Sequence, residues 1–312
     1  MLSSTKIGRL LFPALAILSL TPWSTPPRAL LAGMAVGLAG LYPYSQPSKK
    51  VSGWLLRSCV VLLGFGMNLG VVLAVGARGA GLAALTIGST MLVGTLLGKW
   101  LRVPARTSLL INAGTAICGG SAIAAIGTVT EAEEGEMTVA LSTVFLLNAV
   151  ALYAFPPLGH RLHLSEEAFG GWAGIAIHDV SSVVGAASAY GPTALGVATA
   201  VKLSRALWIA PLTLLVARIY QKRGVGAAGF PWFIVAFVLA SAVRSAVPGM
   251  ASVAPAISSA ARAGLGLTLF LIGSSLSIRT VRQVGWRALA QGLILWLFIS
   301  SSSLLVLSSR IV

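Results

Sequence analysis

Two stretches decide the fold: "NAGTAICGGSAIAAIG" at 112–127 and "AIHDVSSVVGAASAYG" at 176–191. Each places Gly, Ser, Thr, Cys, His or Asp within a run that is otherwise apolar enough for lipid. In a bilayer, unwound polar backbone is tolerated only where it is buried in protein or lines a cavity. Two such breaks predict discontinuous helices that cross near the membrane midplane, a plan typical of secondary transporters.

The composition of the whole chain requires a membrane. The 312 residues are 56% hydrophobic and only 9% charged, with a mean hydropathy of +0.91, whereas soluble domains carry about 25% charged residues. We therefore expect an all-α polytopic membrane protein, with one transmembrane domain over 1–312. The net charge of +15 does not indicate nucleic-acid binding, because the basic residues are spread over short loops.

Hydrophobic runs predict eleven transmembrane segments, most of them near the roughly 20 residues that cross a bilayer. They cover 8–22, 27–43, 51–76, 79–101, 105–130, 136–157, 167–190, 193–220, 230–247, 252–277 and 287–309. The first segment is short and follows Lys6 in the manner of a signal peptide. Prolines crowd the position where a cleavage site would lie, so we expect a retained helix.

The charges in the loops predict how the segments are oriented. With the N-terminus in the cytoplasm, most basic loop residues fall inside, including Arg102, Arg106 and Arg161. The acidic loop at 131–136 then falls outside. The positive-inside rule therefore predicts a cytoplasmic N-terminus and an external C-terminus.

Internal similarity predicts two inverted repeats. Gly66 of "LLGFGMNLG" aligns with Gly273 of "LFLIGSSLS" at an offset of 207 residues, whereas the two breaks align with each other at an offset of 60. Two different offsets suggest that one repeat is a circular permutation of the other. Because five is an odd number of segments, the two repeats would be inserted in opposite orientations. We expect one repeat at 27–157 and the other at 166–309, with 8–22 as an additional helix.

The first break carries groups that suit an anion. Glycines allow backbone conformations that other residues avoid, and a helix that restarts after Gly120 would direct free N–H groups into the site. The alternative is a glycine-rich seam between helices, whose hydroxyls bond to their own helix. The candidate substrate-binding residues of this break are Asn112, Thr115, Cys118, Gly119, Gly120 and Ser121.

The second break contributes ionisable groups at membrane depth, which are costly and usually functional. His178 and Asp179 are predicted to carry a coupling proton, since histidine titrates near neutral pH. His178, Ser181 and Ser182 are also predicted to bind the substrate. The alternative for Asp179 is a structural anchor.

Lys202 and Arg205 are three residues apart and therefore share a helix face. They lie far from the predicted cytoplasmic end for side chains that only reach toward the interface, which is the alternative interpretation. We expect two fixed positive charges that face the cavity. Because these cations outnumber the carboxylate of Asp179, they predict a small anionic substrate.

Other kinds of site find little support in the sequence. Cys59 and Cys118 have no CxxC spacing, and no Walker motif is present, so we expect no metal, no cofactor and no catalytic residue. An anion channel and an intramembrane enzyme remain as alternatives. The enzyme would use Cys118, His178 and Asp179, but neighbouring residues of a helix point about 100° apart, which is awkward for a His–Asp relay.

Three motifs together resemble a known family: "GTAICGGSAIAA" at 114–125, "IHDVSSVVGAASA" at 177–189 and "VKLSRALWIAPL" at 201–212. From about Leu30 to the C-terminus the chain is similar to the YeiH-type sulfate exporters, which are related to the sodium–bile acid symporter superfamily. Asp179 replaces the glutamate of the family's His-Glu-Val motif, and this puts an identical selectivity in doubt.

The resemblance implies a multi-pass protein of the bacterial inner membrane, with a panel domain and a core domain that contains two crossing helices. It also implies export of sulfate. From the resemblance and the buried cations together, we expect secondary transport of a small anionic solute, sulfate or an organosulfonate, by alternating access. Membrane lipids are the expected surroundings, and a homodimer is compatible with this plan.

Overall fold

The computed structural model describes residues 11–21, 24, 26–40, 45–220, 232–274 and 284–308, and all regular secondary structure in these ranges is helical. In chain order the helices are α1 (11–18), α2 (Pro26–Leu38), α3 (Ser45–Gly64), α4 (Leu69–Trp100), α5 (Ala105–Ala116), α6 (Gly120–Thr130), α7 (Glu134–Arg161), α8 (Glu166–Ala176), α9 (Val180–Tyr190), α10 (Pro192–Ala206), α11 (Ile209–Ile219), α12 (Trp232–Ala246), α13 (Met250–Ser274) and α14 (Trp286–Ser308).

The described chain contains 5 helices that are long and apolar enough to cross a membrane. They lie in α4, α7, the continuous pair α10–α11, α13 and α14, and shorter apolar helices accompany them. An all-helical membrane protein is therefore confirmed. The predicted number of eleven crossings is not confirmed.

One predicted boundary between segments is displaced. The sequence suggested a loop at 77–78, but α4 runs without interruption through this position, and the chain breaks earlier, between Gly64 and Leu69. Asn68 explains the difference, because its side chain accepts a hydrogen bond from the backbone N–H of Gly70 at 2.8 Å and so caps α4. A capping bond of this kind favours a helix start but leaves hydropathy unchanged.

Helices α2, α3, α12 and α13 form one layer, in which α13 contacts α2 and α3, and α3 contacts α12. Glycines allow close backbone approach in this layer: a Cβ on Gly33 would clash with the carbonyl of Phe270, and one on Gly64 with the carbonyl of Phe237. Small residues commonly allow such contacts between membrane helices. This layer supports the broken helices beside it.

The first broken segment is a re-entrant hairpin, not a crossing helix. It begins at Ala105, directly after α4 finishes, at what we call the Lys99 end of the molecule. The position of α7 shows where the hairpin finishes. Gly292, near the start of α14, contacts Thr143 of α7 and Ile111 of α5, and further along α14 Trp296 stacks on Phe155 of α7. Helices α7 and α14 therefore run in the same direction, so α6 returns to the Lys99 end before α7 begins.

The second broken segment is also a hairpin, and it enters from the opposite end. The hydroxyl of Tyr190, the last residue of α9, donates a hydrogen bond to the carbonyl of Leu164 at 2.6 Å, just before α8. The ring of Tyr190 also stacks on Phe169 of α8, with centroids 3.7 Å apart. Gly171 adjoins Leu307, at the far end of α14. The base of this hairpin, which we call the Tyr190 end, therefore lies across the molecule from the Lys99 end.

The hairpins correct the predicted sides of two loops. The acidic loop at 131–136 lies at the Lys99 end, on the same side as Arg102 and Arg106, although it was expected on the opposite side. Arg161, expected with those arginines, lies at the Tyr190 end. The reason is that the segment at 105–130, which was counted as a crossing, turns back to the end at which it began. The second hairpin also turns back, so the helices after it run in their predicted directions.

Candidate functional site

The tips of the two hairpins meet. The first tip comprises 117–119 and the second 177–179. A Cβ built on Gly119 would lie 3.3 Å from the Cβ of Asp179 and 3.6 Å from the carbonyl oxygen of His178. Gly119 has a φ of +67°, which glycine adopts readily and other residues rarely do. The structure therefore brings the two polar breaks together, each at the end of a hairpin that enters from its own side.

Lys202 and Arg205 bind the first tip. The Lys202 ammonium donates a hydrogen bond to the carbonyl of Ile117 at 3.1 Å. The Arg205 guanidinium donates to the carbonyl of Ala116 and, at 2.6 Å, to the hydroxyl of Thr86. Both cations are completely buried. They compensate the negative C-terminal end of the α5 dipole. The sequence suggested that both cations face a cavity, but in the structure neither faces an open one.

The N-terminal end of α6 is open. Its cap residue is Gly119, which has no side chain to accept a hydrogen bond from the first turn. Gly120 is half-buried and Ser121 is exposed, so the first turn of α6 is accessible. Free N–H groups at such an end favour an anion.

The N-terminal end of α9 is already occupied. The carboxylate of Asp179 accepts hydrogen bonds from the backbone N–H of Ser182 and from its hydroxyl, both at 2.8 Å, and from the hydroxyl of Ser181. A carboxylate in this position stabilises the helix. This geometry favours the structural role of Asp179. The N-terminus of α6 has no such oxygen cap, and the thiol of Cys118 lies beside the backbone N–H of Ala122 in its first turn.

His178 is fully buried, and neither ring nitrogen makes a well-formed hydrogen bond among the described residues, although the backbone carbonyl of Val144 lies near the ring. Its backbone N–H donates to the side-chain carbonyl of Asn148 at 3.0 Å, which ties the second tip to α7. A buried ring without a well-formed hydrogen bond is unusual in proteins and requires an explanation. The ring has no hydrogen bond to the neighbouring Asp179.

Asn112 belongs to a different cluster. The side-chain amide of Gln291 in α14 donates to the side-chain oxygen of Asn112 at 2.8 Å and to the hydroxyl of Ser108 at 2.7 Å. Gly94 of α4 lies directly against Asn112. This cluster joins α4, α5 and α14. In this structure Asn112 therefore forms a contact between helices.

The space at the tips is small. A cavity of about 30 Å³ is lined by Asn148, Asp179 and Ser182 together with apolar side chains, which leaves room for about one or two water molecules. Cys118 is a free, buried thiol in the first tip. The hydroxyl of Thr115 is buried and has no partner within the described chain. The cavity beside the second tip is therefore nearly closed, whereas the first turn of α6 is accessible.

Three polar residues of this region were not identified from the sequence: Thr86, Asn148 and Gln291. Each is a single polar side chain in an apolar helix, and such residues often form hydrogen bonds between membrane helices. That signal was available but did not reveal their partners. In the part of the chain that the structure describes, no group of three or more His, Cys, Asp and Glu side chains could hold a metal ion.

Comparison with known proteins establishes the family. The family model described as conserved hypothetical protein 698 matches residues 14–292, and the chain belongs to this family. A UPF0324 membrane protein of Porphyromonas gingivalis is 51% identical over 287 residues, which cover 91% of this chain and 87% of the relative. The UPF0324 membrane protein of Geobacter sulfurreducens is 44% identical over 306 residues, or 98% of each chain.

A third relative, from Bacteroides thetaiotaomicron, is 47% identical over 284 residues, which cover 90% of this chain and 86% of the relative, and it too is a UPF0324 membrane protein. The resemblance to the YeiH-type family is thus confirmed, and the protein is a membrane protein of that family. No solved structure matches the chain.

Proposed function

We propose that this membrane protein is a secondary transporter of a small anion and works by alternating access. One observation carries the proposal: two re-entrant hairpins enter from opposite ends, and their tips meet at Gly119 and Asp179 beside buried cations. Interrupted helices that meet at mid-depth are a typical substrate site in transporters. The absence of a nucleotide-binding motif from the sequence supports a gradient as the energy source.

The charges at the tips support an anionic substrate. Lys202 carries three N–H donors, and one of them bonds to Ile117. The remaining donors and the uncapped first turn of α6 would both stabilise a negative charge at the first tip. Sulfate and organosulfonates fit this chemistry, because they present several acceptor oxygens. We propose Lys202, Gly120 and Ser121 as the direct contacts, and Arg205 as the residue that holds α5 in position.

Two inverted repeats are part of the proposal, and equivalent contacts support them. Gly114 in the first hairpin lies against α7, and Gly174, its aligned partner in the second, lies against α10. Asn112 lies against α4, and the aligned Trp172 donates to the carbonyl of Ser300 in α14 at 2.9 Å. The first hairpin thus contacts α4 and α7 where the second contacts α14 and α10. These are the helix pairs that the two sequence offsets align.

An asymmetry between the hairpins supports alternating access. Helix α9 packs on α2 and α13, and its residues 181–187 are buried. Its counterpart α6 packs on α7 and α11 and leaves Ser121, Ala124 and Thr128 exposed. We propose that this conformation is one end state, closed around the second hairpin and open beside the first. Transport would exchange these two environments.

His178 is the proposed coupling group. Its buried ring has the Val144 carbonyl nearby and makes no well-formed hydrogen bond within the described chain, so a proton bound there would interact electrostatically with a substrate at the first tip. Asp179 is committed to Ser181 and Ser182 and is a weaker candidate. The same bonds disfavour an enzyme, since a Cys118–His178–Asp179 relay needs the carboxylate to orient the imidazole.

Proteoliposomes that contain the purified protein test the proposal. Uptake of labelled sulfate and of a short alkylsulfonate is measured with and without an internal pool of the same anion. A carrier should give saturable uptake that the internal pool accelerates by exchange. Flux that rises linearly with concentration would support the channel instead. If neither anion is transported and no anion in a thermal-shift screen stabilises the protein, the anion proposal is wrong.

A further inference from the structure

A second cavity lies on the side of the molecule. It is a half-open lateral groove of about 570 Å³ between α4, α5 and α11, a volume within the usual range for ligand sites. Its lining is almost entirely apolar, and the exceptions include Lys99 at one end. None of the residues around the 30 Å³ cavity at the hairpin tips lines this groove.

The length of the groove corresponds to one leaflet of a bilayer. Its wall on α4 extends from Ala84 to Lys99, which is about 22 Å at 1.5 Å per residue. A bilayer with its headgroups is about 40–45 Å thick, so one leaflet occupies about 20–22 Å. Trp100, with 74% of its surface exposed, and Tyr220 lie at the Lys99 end, where aromatic side chains typically mark the membrane interface.

Positive charge is concentrated at the mouth of the groove. Lys99 lines it, Arg102 and Arg106 flank the connection from α4 to α5, and Arg218 lies in the last turn of α11. All four side chains are exposed. The acidic residues of this end lie in the connection between α6 and α7 and in the first turn of α7, and none of them lines the groove. Such a mouth complements a phosphate at the surface of an anionic leaflet.

We infer that the groove binds one anionic phospholipid from the leaflet at the Lys99 end. An acyl chain lies along the apolar faces of α4 and α11, and the phosphate lies at Lys99. Arg205 joins α10 to Thr86 of α4 and to Ala116 of α5, and α4 and α5 also form walls of the groove. The bound lipid therefore contacts the helices that hold the first hairpin, although the inference does not depend on what the protein transports.

Gly88 offers a direct test, because it lines the groove and a Cβ there would meet no atom within 4 Å. Gly88→Leu places a side chain in the groove, and its Cβ meets no other atom of the protein. Gly81→Leu is the matched control: it lies on the same helix, it also has nothing within 4 Å, and it does not line the groove. Lys99→Gln removes the charge at the mouth, with exposed Arg287→Gln as its control at the same end.

The full-length protein in detergent is titrated with phosphatidylglycerol or phosphatidylcholine, and bound lipid is measured by native mass spectrometry. Wild type and Gly81→Leu should retain phosphatidylglycerol in preference to phosphatidylcholine. Gly88→Leu should lose this lipid, and Lys99→Gln should bind it about five-fold more weakly. Equal retention of both lipids by the wild type, or equal lipid binding by Gly88→Leu and Gly81→Leu, would overturn the inference. A dimer that only Gly88→Leu dissociates would also overturn it, because a second copy would then occupy the groove.

Discussion

The ammonium nitrogen of Lys202 lies 3.1 Å from the carbonyl oxygen of Ile117, so a buried cation of α10 closes the end of α5 at the first hairpin tip. Arg205 makes the equivalent bond one residue earlier, to Ala116, but it also reaches Thr86. The two cations therefore differ in how many of their donors are already used. This difference separates their expected roles.

Lys202→Met should weaken anion binding by about ten-fold to a hundred-fold, because charge-assisted hydrogen bonds contribute roughly 1.5–3 kcal/mol. Affinity is measured by isothermal titration of the purified protein, with thermal unfolding as the check on folding. Arg161→Gln, which removes an exposed cation at the Tyr190 end, is the control and should bind normally. Normal affinity in folded Lys202→Met would exclude Lys202 as a substrate contact.

Arg205→Met should reduce stability more than affinity. It leaves the buried Ala116 carbonyl without this donor, at a cost of roughly 1–3 kcal/mol for an unsatisfied buried acceptor. The Thr86 hydroxyl loses the bond from Arg205 but keeps its bond to the Leu82 carbonyl. Thr86→Val removes both of these Thr86 bonds and leaves the bond from Arg205 to Ala116. In thermal or denaturant unfolding, the double variant should lose less stability than the sum of the two single variants. An unchanged unfolding midpoint together with lost anion binding would instead indicate that Arg205 contacts the substrate.

His178→Gln should bind the anion but lose the response of uptake to an imposed pH gradient. Glutamine keeps some hydrogen bonding, but it cannot carry a proton between pH 5 and 8 as histidine can. The measurement is sulfate uptake into proteoliposomes at matched and unmatched internal pH. His163→Gln, an exposed histidine directly after α7, is the control and should behave as wild type. A wild-type pH profile in His178→Gln would rule out coupling through this residue.

The hairpins predict an unusual labelling pattern for single cysteines. Glu134→Cys and Arg102→Cys should lie on the same side of the membrane, and His163→Cys on the other, because α5 begins and α6 finishes at the Lys99 end. The native Cys59 and Cys118 are 3% and 5% exposed and should give a low background. In intact cells, an impermeant maleimide should label His163→Cys alone. Labelling of Glu134→Cys with protection of Arg102→Cys would contradict the first hairpin.

Gly119→Ala should cost about 1–3 kcal/mol of stability and reduce transport, because a Cβ is strained at a φ of +67° and would approach Asp179. Gly171→Ala is the control, since it lies in α8 away from the tips and its Cβ would meet Leu307 at an ordinary 3.5 Å. The two variants are compared by thermal unfolding and by sulfate exchange. Equal behaviour would mean that the tip tolerates a side chain and that its close contact is unimportant.

The sequence was sufficient for the class of protein and for both breaks. Low charge and long apolar runs imply a membrane helix bundle, and the glycines and polar residues at 117–119 and 177–179 mark where helices must stop. It did not reveal that the chain turns back at these points. Hydropathy is the same for a helix that continues across the bilayer and for one that reverses, and the reversal depends on contacts such as Tyr190 with Leu164.

The partners of the polar residues were also beyond the sequence. Lys202 and Arg205 were identified as buried cations, but their bonds to backbone carbonyls of α5 join residues more than eighty positions apart. Asp179 was grouped with His178 because the two are adjacent. The structure instead shows a capping role, which follows from the start of α9 at Val180.

The length of α4 links the protein to the thickness of its membrane. Its 32 residues extend about 48 Å, more than the roughly 40–45 Å of a bilayer with headgroups. The helix must lean or protrude, and hydrophobic mismatch of this kind is relieved by tilt. A thicker bilayer would reduce the tilt of α4. Thr86, and Arg205 that is hydrogen-bonded to it, would then move along the membrane normal. Acyl chain length in the reconstituted membrane is therefore an experimental variable that could change turnover without any change in the protein.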